Sequence, residues 1–284
     1  MSVKTKRKVK RYTGITLLNL LFIVLCLAAL IPILYAVSVS LNAQNSILGS
    51  NFSFIPKQVT GEHYKEVIFG QPVLLWFKNT IILAISSVCI ALLVAVPGAY
   101  ALSRFRFSGR IVIFNSLVLL HSFPAILSMF AIYKLMSPMG LINTKLGLVL
   151  VYIGTMSIFG LLNLKGYFDS IPKELEEAAA IDGAGSWQTI TQILLPLAKP
   201  AVIVTAVMVM IYVWNEYIYA VTFMTGADNY TLAAGLYSLQ ATEMSGSWPV
   251  FAAASIVVSV PILIIFFLTQ RHMVSGLTAG GVKG

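Results

Sequence analysis

Charge is scarce in this chain, and acidic charge scarcest: ten Asp and Glu stand against nineteen Lys and Arg in 284 residues, and charged residues make up only 10%. A soluble domain carries about a quarter charged residues. Most of this chain must therefore face lipid or other apolar helices. Cysteine is nearly absent, and the two that occur, Cys26 and Cys89, lie inside apolar runs. A disulfide framework or a thiolate metal site is excluded on that ground. The three histidines, His63, His121 and His272, are too far apart for metal-ligand spacing. The chain contains no G-x-x-x-x-G-K-[ST] and no G-x-S-x-G. It has neither a phosphate-binding loop nor a nucleophile elbow of its own.

What is present is apolar length, with 58% hydrophobic residues. Six stretches, near 15–40, 75–102, 111–134, 146–165, 201–224 and 249–270, are long enough to cross a core about 30 Å thick, which takes roughly 20 helical residues. The first follows a basic segment, but its run is about twice a signal-peptide core, so an uncleaved anchor is expected. The net charge of +9 could suggest nucleic acid, yet its distribution argues otherwise. Lys4, Lys6, Arg7, Lys8, Lys10 and Arg11 crowd the first dozen residues, and Arg104, Arg106 and Arg110 fill one short loop. Lys165, Lys173, Lys199, Arg271 and Lys283 fall on the same side, against Lys57, Lys65, Lys78, Lys134 and Lys145 opposite. Cations are retained on the cytoplasmic side, so both termini are expected there. The domain reading is a basic N-terminus (1–14), a six-helix membrane domain (15–270) containing a cytoplasmic loop (166–200), and a cytoplasmic tail (271–284). Pro32, Pro97, Pro124 and Pro261 lie within spans. Each frees a carbonyl that must be satisfied within a bundle or a wet cavity.

The loop is the least membrane-like part. Ser170 is a candidate N-cap with Pro172 in the first turn, and Glu174, Glu176 and Glu177 then sit at the positive end of a helix dipole. Leu175, Ala178, Ala179 and Asp182 share a face of mostly small side chains. Gly183 and Gly185 permit a sharp turn. Ser186 is positioned to cap a second helix with Trp187, Ile190, Ile193 and Leu194 as its stripe, before Pro196 and Pro200 break the chain. Three lysines face five acids between Lys165 and Pro200. Interfacial helices on anionic lipid are usually basic, so docking onto a protein is the expected role.

This loop resembles the EAA motif of permeases in binding-protein-dependent ABC importers, through Glu177, Ala178, Ala179, Asp182, Gly183, Ile193, Leu195 and Pro196. Ile190 stands where that family often has an aromatic residue. LKGYFDSIP (164–172), WNEY (214–217), YTLAAG (230–235) and GLTAGGVKG (276–284) resemble the carbohydrate-importing branch, and most of all the smaller permeases of maltose/maltodextrin importers. The resemblance implies an all-α type I importer permease fold in a prokaryotic cytoplasmic membrane. It also implies half of a pore completed by a homologous permease, and an external sugar-binding protein. A dimeric cytoplasmic ATPase would bind the ATP and Mg, leaving this chain without a cofactor or a catalytic site. The coupling residues and the glycine-rich tail (Gly276, Gly280, Gly281, Gly284) would meet that ATPase.

For a translocation path, the candidates are Trp214, Asn215 and Glu216, the last being the only acid placed inside a span, and Ser255 and Ser259, one turn apart. Glu216 reads equally well as hydrated near the outer surface. The two serines also fit simple helix packing, and His121 a backbone hydrogen bond. Trp76 and Trp248 read as interfacial anchors. The competing class, a secondary transporter or channel, would need intramembrane coupling carboxylates and internal repeats; Glu216 stands alone.

Overall fold

The computed structural model describes residues 3–43, 55–56, 58–241 and 247–281, with side chains except at 3–11, 186, 241 and 271–281. Among these residues the structure is helical, with one isolated bridge between Asn42 and Val59 and no longer strand. The chain divides into two units: residues 1–71 with 239–257, and residues 72–238 with 258–284.

The first unit holds the long helix α1 (Val3–Ser40) and the short α2 (Glu62–Lys65), which runs on into a π turn (Glu66–Gly70). Leu17, Leu21, Val24, Leu27 and Ile31 of α1 are all exposed, as lipid-facing side chains must be. At its end Ser40 Oγ meets Tyr64 OH at 2.7 Å, and His63 Nε2 lies 3.0 Å from the Asn42 carbonyl.

The second unit is built on α3 (Val73–Arg104), α6 (Lys145–Ser170) and α9 (Leu195–Asn215). One face of α3 carries Leu83, Ser87, Ala91, Ala95 and Ala99, all buried and one turn apart. Apolar attraction between helices is weak in lipid, so close approach through small residues has to supply the packing. Gly160 on α6 marks one close approach: a Cβ there would stand 3.1 Å from both Ala95 Cβ and Thr205 Cγ2.

The spans expected near 75–102 and 146–165 are single helices, extended by a few residues. The one expected over 111–134 is not. It is two helices, α4 (Arg110–Ser122) and α5 (Ala125–Met136), that meet at 98°. Pro124 at the junction has no amide hydrogen and cannot continue the first helix. Just past the junction, the Tyr219 hydroxyl donates to the Ala125 carbonyl at 2.9 Å. The fifth expected span also differs at both ends. Helix is continuous from Thr189 through Pro196 and Pro200 to Asn215, then breaks at Glu216 and Tyr217 before α10 (Ile218–Phe223). Pro200 lies inside α9, and Pro196 is tolerated because it sits in the first turn of α9, just after a π turn over Thr189–Leu194. Its missing donor is unneeded there.

Beyond α10, a 3₁₀ turn (Ala227–Asn229) and α11 (Leu232–Ala241) are stapled to the start of α3. Trp76 Nε1 donates to the Ala227 carbonyl at 2.8 Å, and Asn79 donates to Asp228 and Tyr230 at 2.8 and 3.0 Å. Trp76 is 2% exposed, so it is a packed staple and not the interfacial anchor its position suggested. The YTLAAG segment supplies the other half: Thr231 accepts from Ala234 N at 3.1 Å as the α11 cap, and Gly235 lies against the indole of Trp76 where no Cβ fits. The last helix, α12 (Trp248–Gly281), continues well past residue 270 into the glycine-rich ending, and its first ten residues group with the first unit.

Candidate coupling site

The acidic loop forms helix α7 (Glu174–Ile181), a turn, α8 (Ser186–Gln188) and the π turn that leads into α9. Glu174, Glu176 and Glu177 occupy the first turn of α7, as the dipole favours. Ser170 does not cap it. That serine ends α6, where its Oγ donates to the Tyr167 carbonyl at 2.6 Å, and α7 starts after Lys173.

The helix stops by backbone geometry. Ala184 N donates to Ala179 O at 2.9 Å, and Gly183 N to Ala180 O at 3.1 Å, while Gly183 has φ +83°. This is a Schellman motif with its left-handed residue at Gly183. Of the two glycines, only Gly183 uses positive φ. The next helix begins with Gly185 in the cap position, its amide donating to Gln188 Oε1 at 3.0 Å. That is the back-reaching half of a capping box, so Ser186 is the first helical residue and not the cap.

One side of the hairpin is exposed and the other packed. Glu177, Ala178, Asp182 and Gly183 are exposed, with Ile181 at 86% and Trp187 at 76%. Ala179 and Leu194 are buried, while Ile193 and Leu195 are half-buried and Pro196 is exposed at the α9 start. The motif residues therefore serve two tasks. Some present a surface, while others are buried or half-buried beside Leu194, which packs in one cluster with Leu164, Phe168 and Ala198. Beside Trp187, an apolar hollow of about 600 Å³ is lined by Leu92, Val96 and Pro97 of α3 and by Ile190.

The mount itself is polar. Arg104, in the last turn of α3, pairs through Nε with Glu176 Oε1 and donates through Nη2 to the Ile171 carbonyl at 3.0 Å. Tyr100 OH donates to the other Glu176 oxygen at 3.3 Å. Ser103 donates to Asp169 Oδ1 at 2.6 Å, and Lys165 reaches Asp169 Oδ2 at 2.6 Å. The Arg104 and Glu176 side chains are 6% and 15% exposed. A charge pair so sheltered is costly to split. The sequence reading counted Arg104 only as a topological cation and passed over Glu176 for its neighbour Glu177. Nothing in the spacing of these residues reveals their pairing.

Residues 5–278 match the family described as binding-protein-dependent transport system inner membrane component. This chain belongs to that family. The permease is 36% identical over 280 residues to the galactooligosaccharides transport system permease protein GanQ of Bacillus subtilis, covering 98% of each chain. It is also 36% identical to the maltose/maltodextrin transport system permease protein MalG of Escherichia coli K12, over 94% of this chain and 95% of the relative. A crystal structure of a bacterial ABC transporter involved in import of the acidic polysaccharide alginate contains a chain similar in fold. It aligns with TM-score 0.76 and 27% identity, over 93% of this permease and 97% of that chain. The permease is thus a multi-pass inner-membrane protein of a transport system.

Its pathway candidates are not equivalent. Trp214 is 4% exposed, with its Nε1 donating to Val258 O at 3.1 Å and its ring edge-on to Phe77. That ring is packed within the protein and offers no face for stacking on a sugar. Glu216 is half-buried at the helix break. Its oxygens accept from the amides of Tyr219 (2.8 Å) and Ala220 (3.1 Å) and from Tyr152 OH (2.8 Å). It satisfies the donors that the break exposes, a role neither sequence reading foresaw. Asn215 and Tyr217 beside it are exposed. Ser255 Oγ donates to the Phe251 carbonyl of its own helix at 2.8 Å, and Ser259 is exposed. His121 is exposed, with its ring 6.1 Å from that of Phe159. In the ending, Gly276, Gly280 and Gly281 lie within α12, and Gly284 is outside the described residues.

Proposed function

We propose that this permease forms half of the translocation pore of an ATP-driven oligosaccharide importer, with a maltodextrin-type sugar as its cargo. The supporting observation is the exposed face of the α7–α8 hairpin, mounted on α3 by the Arg104–Glu176 pair. A separate ATPase dimer binds ATP and Mg, and this chain contributes no catalytic group. Closure of that dimer moves the hairpin through Glu177, Ala178, Ile181, Asp182 and Trp187. The hairpin cannot slide on α3 without opening a sheltered charge pair, so the movement passes to α3 and, through the packing at Gly160, to α6 and α9. A homologous permease completes the pore, and an external binding protein delivers the sugar. Both termini and the hairpin face the cytoplasm. The C-terminal tail is a second contact with the ATPase. The path runs past the α9 break at Asn215 and Tyr217, where polar backbone requires a protein or water neighbour.

Sugar-stimulated ATP hydrolysis in the reconstituted complex tests this reading. Ile181→Asp places a charge on the docking face while leaving the mount intact. It should abolish stimulation by loaded binding protein in an assembled complex. Wild-type stimulation in that variant would remove the hairpin from the coupling route.

A further inference from the structure

A second polar site lies where α4 begins. Arg106, Arg110 and Lys165 line a hollow of about 620 Å³ together with Phe107, Ile111 and Phe114. We propose that this hollow binds the phosphate-bearing headgroup of an anionic phospholipid, with the acyl chains lying along α4.

Local charge favours an anion. Lys165 is already engaged by Asp169, whose other oxygen is held by Ser103. Arg104 next door is taken by Glu176 and does not line the hollow. Arg110 makes one long contact to a neutral carbonyl, that of Ser103, at 3.5 Å. Arg106 is exposed and has no hydrogen-bond or ion-pair partner among the described residues. One acid therefore faces three cations, and two guanidiniums remain without a counter-charge.

The remaining wall selects a lipid over a soluble anion. Ile111 and Val112, 73% and 68% exposed, follow Arg110 directly in the first turn of α4. Lys165 Nζ sits 4.8 Å from the Phe114 ring centroid, so a cation and an aromatic face stand together in the wall of the hollow. A cationic pocket opening onto an exposed apolar helix fits a molecule with a phosphate at one end and hydrocarbon at the other. Basic pockets at the cytoplasmic ends of spans have this character, because the inner leaflet is anionic. The site rests on the proposed orientation for its leaflet, though not for its chemistry.

The test uses the intact permease–ATPase complex in nanodiscs of phosphatidylcholine and phosphatidylglycerol, with co-purifying lipid counted by native mass spectrometry. Phosphatidylglycerol should be enriched on the order of twenty-fold over the bulk ratio, about five-fold for each of the two unneutralised guanidiniums. Arg106→Gln, a change at an exposed and unpaired side chain, should cut that enrichment on the order of five-fold, the worth of one cation at a membrane surface. R106Q/R110Q should bring it to the bulk ratio, and R106K/R110K should retain it. Lys134→Gln, at an exposed cation outside the hollow, should change nothing. Absence of enrichment in the wild type, an unaltered ratio in R106Q, or an equal loss in K134Q each overturns the site. Displacement by inorganic phosphate at matched ionic strength would make it a soluble-anion site and overturn the lipid assignment. Because both leaflets of the nanodisc are alike, the result does not depend on orientation or transport, and either reading can fail alone.

Discussion

Arg104 and Glu176 join the end of α3 to the start of α7. Both side chains are sheltered, and their partners come from α3, α7 and the Ile171 carbonyl. Arg104→Ala should destabilise the α7 attachment by about 3 kcal/mol, because it leaves Glu176 without its charge partner. A lowered melting temperature in detergent and weakened sugar stimulation should appear together. A double-mutant cycle with Glu176→Ala should then give a coupling energy well above zero. Additive losses would mean that the pair does not act as a unit. At Gly183 the expected effect is smaller and local. A side chain at φ +83° meets a left-handed penalty of roughly 1–2 kcal/mol, largest for β-branched residues. Gly183→Val should therefore impair coupling more than it lowers overall melting. Gly160→Leu should do the reverse, since Ala95 and Thr205 leave no volume between α3, α6 and α9. Its check is the yield of assembled complex after detergent extraction.

At the scale of elements, the informative places are the interruptions. The α9–α10 break exposes backbone amides that lipid cannot satisfy, and Glu216 accepts two of them along with the Tyr152 hydroxyl. Glu216→Ala leaves three donors without this acceptor, at roughly 1–3 kcal/mol for each that stays dry. Glu216→Gln keeps an acceptor oxygen and should be distinctly milder. Equal melting temperatures for the two variants would contradict the capping role. The break was hidden in the sequence because Val213 and Trp214 on one side and Ile218 to Phe223 on the other read as one apolar run. The bend at Phe123–Pro124 was half-visible. Proline marks where a helix cannot continue, but neither the 98° angle nor the Tyr219 contact at Ala125, from a helix 94 positions away in the chain, is written in the local pattern. The end of α7 was legible at Gly183, because a Schellman turn is local and glycine is its local signature.

For the whole molecule, the orientation reading makes its own prediction. In a variant lacking Cys26 and Cys89, a single cysteine at Asp182 should react with a membrane-impermeant maleimide only in inside-out vesicles, and one at Lys134 only in right-side-out vesicles. The opposite pattern would reverse the topology. By itself the sequence determined that the chain lives in a bilayer, roughly where it crosses, which polar loop folds as a helical hairpin and the family to which it belongs. Those properties follow from composition, from apolar length against a fixed bilayer thickness, and from turn residues whose effect reaches only a few positions. Tertiary structure alone decided that Glu176 and not Glu177 bolts the hairpin to α3, and that Trp76 and Trp214 are packed within the protein. It also decided that Glu216 caps a break and that Arg106 lines a hollow with Arg110 and Lys165. Each depends on residues far apart in the chain: 72 positions separate Arg104 from Glu176, and 151 separate Trp76 from Ala227. Local pattern carries no record of such pairings, because they exist only once helix packing has brought distant side chains within hydrogen-bond reach.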